Sequence, residues 1–142
     1  MSTGPRVGWR SWWLAARMTA WVAMLRLAVR VVPIKRLSRW VEPRSTTPNV
    51  HDRDVDRVIA LSQRATAALS RRPETMCLVR SLVAYRYLLR AGQRPELLMG
   101  FRKVESLLTG HAWVEIDGQP VTDDPAALAD VQMSMVLGPG ER

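Results

Sequence analysis

The hydrophobic period of this chain changes once, at Gly92, and that change limits the possible folds more than any other feature. Before Gly92, apolar residues recur every three or four positions; after it they alternate. The first spacing belongs to helices and the second to strands. Helices followed by strands, without interleaving, predict an α+β domain: N-terminal helices, then a small antiparallel sheet.

Val55, Val58, Ile59, Ser62, Ala65, Ala68 and Leu69 trace an amphipathic helix from about Asp52 to Arg71. Asp52, Asp54 and Asp56 fall in its first turns and Arg71 and Arg72 at its end, as the helix dipole favours, and Pro73 stops it. A further helix is expected from about Met76 to Ala91, with Thr75 as N-cap and Gly92 as C-terminal stop. Beyond it, Leu97, Met99 and Phe101 alternate with Leu98, Gly100 and Arg102, and His111, Trp113 and Glu115 with Ala112, Val114 and Ile116. Asp117-Gly118 is a two-residue hairpin signal, with Val121 on the return strand. Residues 125–142 read as a short helical piece, Pro125 to about Val131, and a loose Gly/Pro tail.

The N-terminal part has a different character. Residues 1–45 hold nine basic groups and one acid, Glu42, whereas residues 46–142 hold twelve of each sign. The whole excess of +8 therefore sits in the first segment. That asymmetry divides the chain into a basic helical arm, 1–45, and a neutral domain, 46–142, joined by a linker over Arg44 to Val50. Trp9 to Val41 reads as a helix that ends or kinks before Pro33, then a short basic stretch. Its longest uncharged run, Met18 to Leu25, is far below the ~18–20 residues of a membrane span. Arg17 interrupts the apolar region that a cleaved signal peptide would need. Two readings stay open: packing on the rest of the protein, or contact with a partner or the inner face of a membrane, which the tryptophans and arginines suit.

A length of 142 residues with 47% hydrophobic content supports one real core. One cysteine allows no internal disulfide, which fits a reducing, cytoplasmic setting. With only two histidines, a zinc site would have to recruit carboxylates, and no glycine-rich nucleotide loop is present. No cofactor, metal or nucleic-acid partner is expected. His51, beside Asp52, reads as a solvated surface residue.

The chemistry lies in Cys77, His111 and Asp123. Cys77 opens the helix after Pro73, His111 opens the apolar part of a strand, and Asp123 lies 12 positions further on, past the hairpin turn. Unpaired N–H groups at a helix start favour a negative charge there, as a nucleophilic thiolate requires. An imidazole takes the proton, and a carboxylate fixes its tautomer and steadies the imidazolium. A hairpin leading from His111 back to Asp123 brings these two side by side. Asp117 and Asp124 compete for the last role, but the turn accounts for Asp117.

Several strings carry a resemblance: Cys77-Leu78-Val79-Arg80-Ser81-Leu82, Tyr85-Arg86-Tyr87-Leu88-Leu89-Arg90-Ala91-Gly92, Leu97-Leu98-Met99-Gly100-Phe101-Arg102-Lys103 and Gly110-His111-Ala112-Trp113-Val114-Glu115. Together they resemble the transglutaminase-like branch of the papain superfamily, and within it the lasso-peptide biosynthesis B2 proteins, over roughly residues 50–124. The resemblance implies a papain/transglutaminase-like core and a cysteine peptidase that cuts the leader from a ribosomally made lasso precursor. It implies Cys77 as nucleophile, His111 as general acid/base and Asp123 as orienter. It also implies two partners, a leader-recognition B1 protein and an asparagine-synthetase-like cyclase that acts afterwards. The oxyanion donors stay unassigned: the backbone N–H of Cys77 is one candidate, and Arg71 to Met76 contains no Gln of the papain kind. Trp113 and Arg80 are candidate substrate contacts, against the plainer readings of a core tryptophan and a solvated helix face. Two other functions are weighed against the peptidase, a non-catalytic peptide, partner or membrane adaptor and an acyltransferase with the same triad.

Overall fold

A computed structural model describes residues 9–44, 52–71 and 76–139. Four helices, α1 (Trp9–Ala28), α2 (Ile34–Val41), α3 (Asp52–Leu69) and α4 (Cys77–Arg90), precede four strands, β1 (Pro95–Val104), β2 (Leu107–Ile116), β3 (Gln119–Pro120) and β4 (Gln132–Leu137). The expected α+β order is what the protein adopts. All strand pairs are antiparallel, in the order β3-β2-β1-β4.

Local chemistry sets most boundaries. α1 gives way to a turn before Pro33, whose carbonyl then accepts from the N–H groups of Arg36 and Leu37 and starts α2. α4 ends in a Schellman motif. Gly92 takes a φ of 80°, its N–H donates to the Leu89 carbonyl, and that of Gln93 donates to the Leu88 carbonyl. Asp117 and Gly118, at φ 52° and 76°, supply the two left-handed positions of a type I′ turn between β2 and β3. The expected caps or stops at Thr75, Arg72 and Pro73, the surface role of His51, and the linker beyond Arg44 lie outside the described residues. Met76 occupies the N-cap position of α4, with no side-chain cap, so Cys77 is the first helical residue.

The sheet contains one turn that the sequence pattern leaves unmarked, and its last strand corrects one expectation. β1 and β2 run on to a tight turn at Glu105-Ser106, with Glu105 at a φ of 55°, because a left-handed non-glycine residue carries no strong sequence signal. The C-terminal part is not a loose tail: after a 3₁₀ turn at Pro125–Leu128 it forms β4, pairing Leu97 with Leu137 and Met99 with Met135. As an edge strand exposed over most of its length, β4 needs no alternating pattern to fit. Its start presses on β1 at Gly100, where a Cβ would come within 2.5 Å of the Gln132 carbonyl oxygen. That approach coincides with a shift in register between Met99 and Gly100.

One core joins all of this. Met18, Val22 and Leu25 of α1, Leu37 and Val41 of α2, and Leu82, Tyr85 and Leu88 of α4 meet Leu97 and Val114 of the sheet. The charge boundary near residue 45 is thus not a boundary in the core, and one face of the basic segment packs on the rest of the protein. α3 buries Ser62 and Thr66 alongside, their hydroxyls donating to the Ile59 and Ser62 carbonyls. The helices cover the sheet face of Leu97, Val114 and Ile116. The β3–β4 link must cross between opposite edges, and Val131 lies against Gly100, so it crosses the other face, where Leu98 and Trp113 are also buried.

Candidate active site

β3 is only two residues long, so β2 runs past its partner and leaves part of its outer edge without a strand. Other groups finish that edge. The Val121 N–H donates to the Val114 carbonyl, and the Val114 N–H donates to Thr122 Oγ1 at 2.9 Å. Further along, Ser81 of α4 donates its hydroxyl to the Ala112 carbonyl at 2.9 Å, within the core. Unsatisfied buried backbone groups are costly, so these two side chains tie both α4 and the post-β3 segment to β2 beside His111.

His111 Nε2 lies 3.3 Å from Asp123 Oδ1. Thr122 donates its hydroxyl to Asp123 Oδ2 at 3.0 Å, and Arg80 Nη2 donates to both carboxylate oxygens, at 2.9 and 2.8 Å. The carboxylate is therefore held by a cation and a hydroxyl while one oxygen faces the imidazole. With Nε2–H directed at Asp123, the lone pair of the ring is on Nδ1, which fixes the tautomer a general base needs. The other flank of His111 stacks on Trp113, ring centroids 6.1 Å apart and 21° from parallel. Trp113 in turn donates Nε1–H to Glu115 Oε1 at 2.8 Å. Sequential alternation along β2 puts all three side chains on one face.

Cys77 carries a free, half-buried thiol at the first position of α4. Positions 77, 80 and 81 are three and four residues apart, so they share one face of the helix. That face meets Ala112 through Ser81 and Asp123 through Arg80. Cys77 sits one turn, ~5.4 Å, before Ser81 on the same face. Hydrogen bonds and an ion pair thus unite His111, Asp123 and Arg80 directly, whereas Cys77 is tied to them only through its place on α4, one turn before Ser81. The uncapped start of the helix leaves first-turn N–H groups that no residue within the helix can satisfy.

Two expected substrate contacts have other surroundings. The Arg80 guanidinium faces Asp123, which follows from its position one turn after Cys77 on the face turned to the sheet edge. Trp113 is 4% exposed and packs on the imidazole, so it supports the site from within. The sequence reading missed Ser81 and Thr122. Ser81 was legible as the residue four after Cys77, and Thr122 as the hydroxyl beside the expected carboxylate.

Titration is perturbed at the other end of α4. Burial, reinforced by Arg90, lowers the pKa of Arg86, whose guanidinium sits 4.0 Å over the Trp21 ring. Burial raises that of Tyr87. Among the described residues, no group of three or more His, Cys, Asp and Glu side chains could hold a metal ion. No helix among them is long and apolar enough to cross a membrane.

The family comparison bears on the whole domain. A family described as the transglutaminase-like superfamily matches residues 14–136, from within α1 almost to the end of β4. Neither the curated proteins nor the solved structures yielded a match. The chain belongs to the transglutaminase-like superfamily.

Proposed function

We propose that this member of the superfamily is a cysteine peptidase that removes the leader from a lasso precursor peptide, using Cys77, His111 and Asp123. The observation that carries the chemistry is the contact of His111 Nε2 with an Asp123 carboxylate held by Arg80 and Thr122, beside the helix that Cys77 opens. The choice of substrate rests on the Cys-Leu-Val-Arg-Ser-Leu and His-Ala-Trp-Val-Glu strings.

Each residue then has one task. His111 Nδ1 takes the Cys77 proton, and the thiolate attacks the carbonyl carbon at the leader–core junction. The backbone N–H of Cys77, at the start of α4, is one candidate donor to the developing oxyanion. The C–N bond breaks, His111 returns its proton to the leaving amine, and the core peptide departs with a free N-terminus. Water, deprotonated by the same imidazole, cleaves the leader thioester and restores the thiol. Asp123 orients the imidazole and steadies the imidazolium each time it forms. A leader-recognition protein delivers the precursor, and an asparagine-synthetase-like cyclase uses the new amine.

The test combines protein, leader-recognition partner and precursor, read by mass spectrometry for wild type and Cys77→Ala. Wild type is expected to release a leader ending in a free carboxylate, and the variant none. Release by both, or by neither, refutes the assignment. A leader recovered as an amide of an added amine identifies an acyltransferase instead.

A further inference from the structure

α1 is apolar on two opposite sides, and among the described residues only one of them is covered. Met18, Val22 and Leu25 point into the core. About half a turn away, Trp12, Trp13, Ala16, Ala20, Met24 and Leu27 form a second stripe that is exposed to solvent. Trp12 is 63% exposed and Leu27 71%, and Val31 in the following turn reaches 80%. From Trp12 to Leu27 the stripe is ~22 Å long at the rise of an α-helix. Isolated exposed apolar residues need no explanation, but a continuous stripe of this size marks a contact surface.

Its surroundings define the contact. Residues 9–41 contain seven basic residues and no acid. Arg30, Lys35, Arg36 and Arg39 are exposed beyond the end of the stripe, and Trp40 with them. Tryptophan at the margin of an apolar strip, with arginine and lysine around it, is the composition of a surface that lies in the headgroup region of a bilayer. Arg17 borders the stripe itself, so α1 is suited to lying along a membrane and not to crossing it. A second copy of this chain would bring two faces of the same sign together, which opposes association.

We infer that the outer face of α1, with the exposed basic residues of α2, docks on an anionic lipid surface. The inner face of the helix anchors to the core, and the outer face sinks its apolar stripe among acyl chains while the cations meet acidic headgroups. The inference is independent of the chemistry at Cys77.

Flotation of the full chain tests it, with vesicles of phosphatidylglycerol and phosphatidylcholine against vesicles of phosphatidylcholine alone. The doubly substituted Trp12→Glu, Leu27→Glu protein serves as control, its fold checked by circular dichroism and thermal melting. Wild type is expected to float with the anionic vesicles, with at least a tenfold drop for the double variant and a marked loss at high salt. Absence of flotation, equal flotation of the folded variant, or equal capture by neutral vesicles overturns the inference. So does flotation-free self-association, or flotation-free binding of the leader-recognition protein, that the double variant abolishes. If the double variant does not fold, Val31→Glu, at an 80% exposed turn position, replaces it with the same criteria.

Discussion

The two ends of this molecule are built on opposite principles. Around Asp123, three side chains from three segments converge on one carboxylate, each within hydrogen-bond distance. Around α1, one apolar side packs into the core while Trp12, Trp13, Met24 and Leu27 on the opposite side are exposed among the described residues. The first region is specified by directional contacts that tolerate little displacement. The second is specified by area alone, which is non-directional and indifferent to detail. A reaction centre requires the former, and attachment to a soft surface requires only the latter.

The contrast gives graded expectations. The largest concerns Asp123→Asn, which keeps the shape and loses the charge. Leader release should slow by on the order of 10³–10⁴-fold, as for an orienting carboxylate elsewhere, with little change in fold. A loss of less than tenfold in single-turnover kinetics would remove Asp123 from the triad.

Next is a pair two residues apart on one helix. Leu25 is fully buried and Leu27 exposed, so Leu25→Ala should cost about 2–5 kcal/mol and Leu27→Ala no more than about 0.5. Urea unfolding measures both, and similar costs would mean that the outer stripe is covered in solution. Arg80→Met should destabilise by about 1–3 kcal/mol by leaving a half-buried carboxylate short of a charged donor. It should also lower kcat more than it raises KM, because Arg80 acts through Asp123. A pure KM effect would return Arg80 to substrate binding.

The smallest effect lies in pH. Burial raises the Tyr87 pKa, so the folded state favours the neutral phenol. Its contribution is fully present below the ordinary tyrosine value of about 10 and is lost as pH rises through the raised one. Tyr87→Phe should flatten that alkaline decline in thermal stability; an unchanged decline would assign it to another group.

Much of the fold could be read from local pattern. The period change at Gly92, the Gly92 stop and the Asp117-Gly118 turn are written in neighbouring residues, and so were found. β4 was not, because an edge strand has no buried face to impose alternation. The turn at Glu105 was not, since its residue type gives no sign of a positive φ. In the site, the residue types and spacing of Cys77, His111 and Asp123 were legible. The ion pair of Arg80 with Asp123 was not, because 43 residues separate its members.

By itself, then, the sequence determined the element types, their order, the surplus of positive charge in the first segment and the three residue types on which the proposed chemistry rests. Each of these is encoded within a turn or two of chain. Only the tertiary structure decided that Arg80 pairs with Asp123, that Trp113 stacks on the imidazole, and which side of α1 the described residues leave exposed. Those outcomes depend on which elements come together, and periodicity along one segment carries no information about the segment that will cover it.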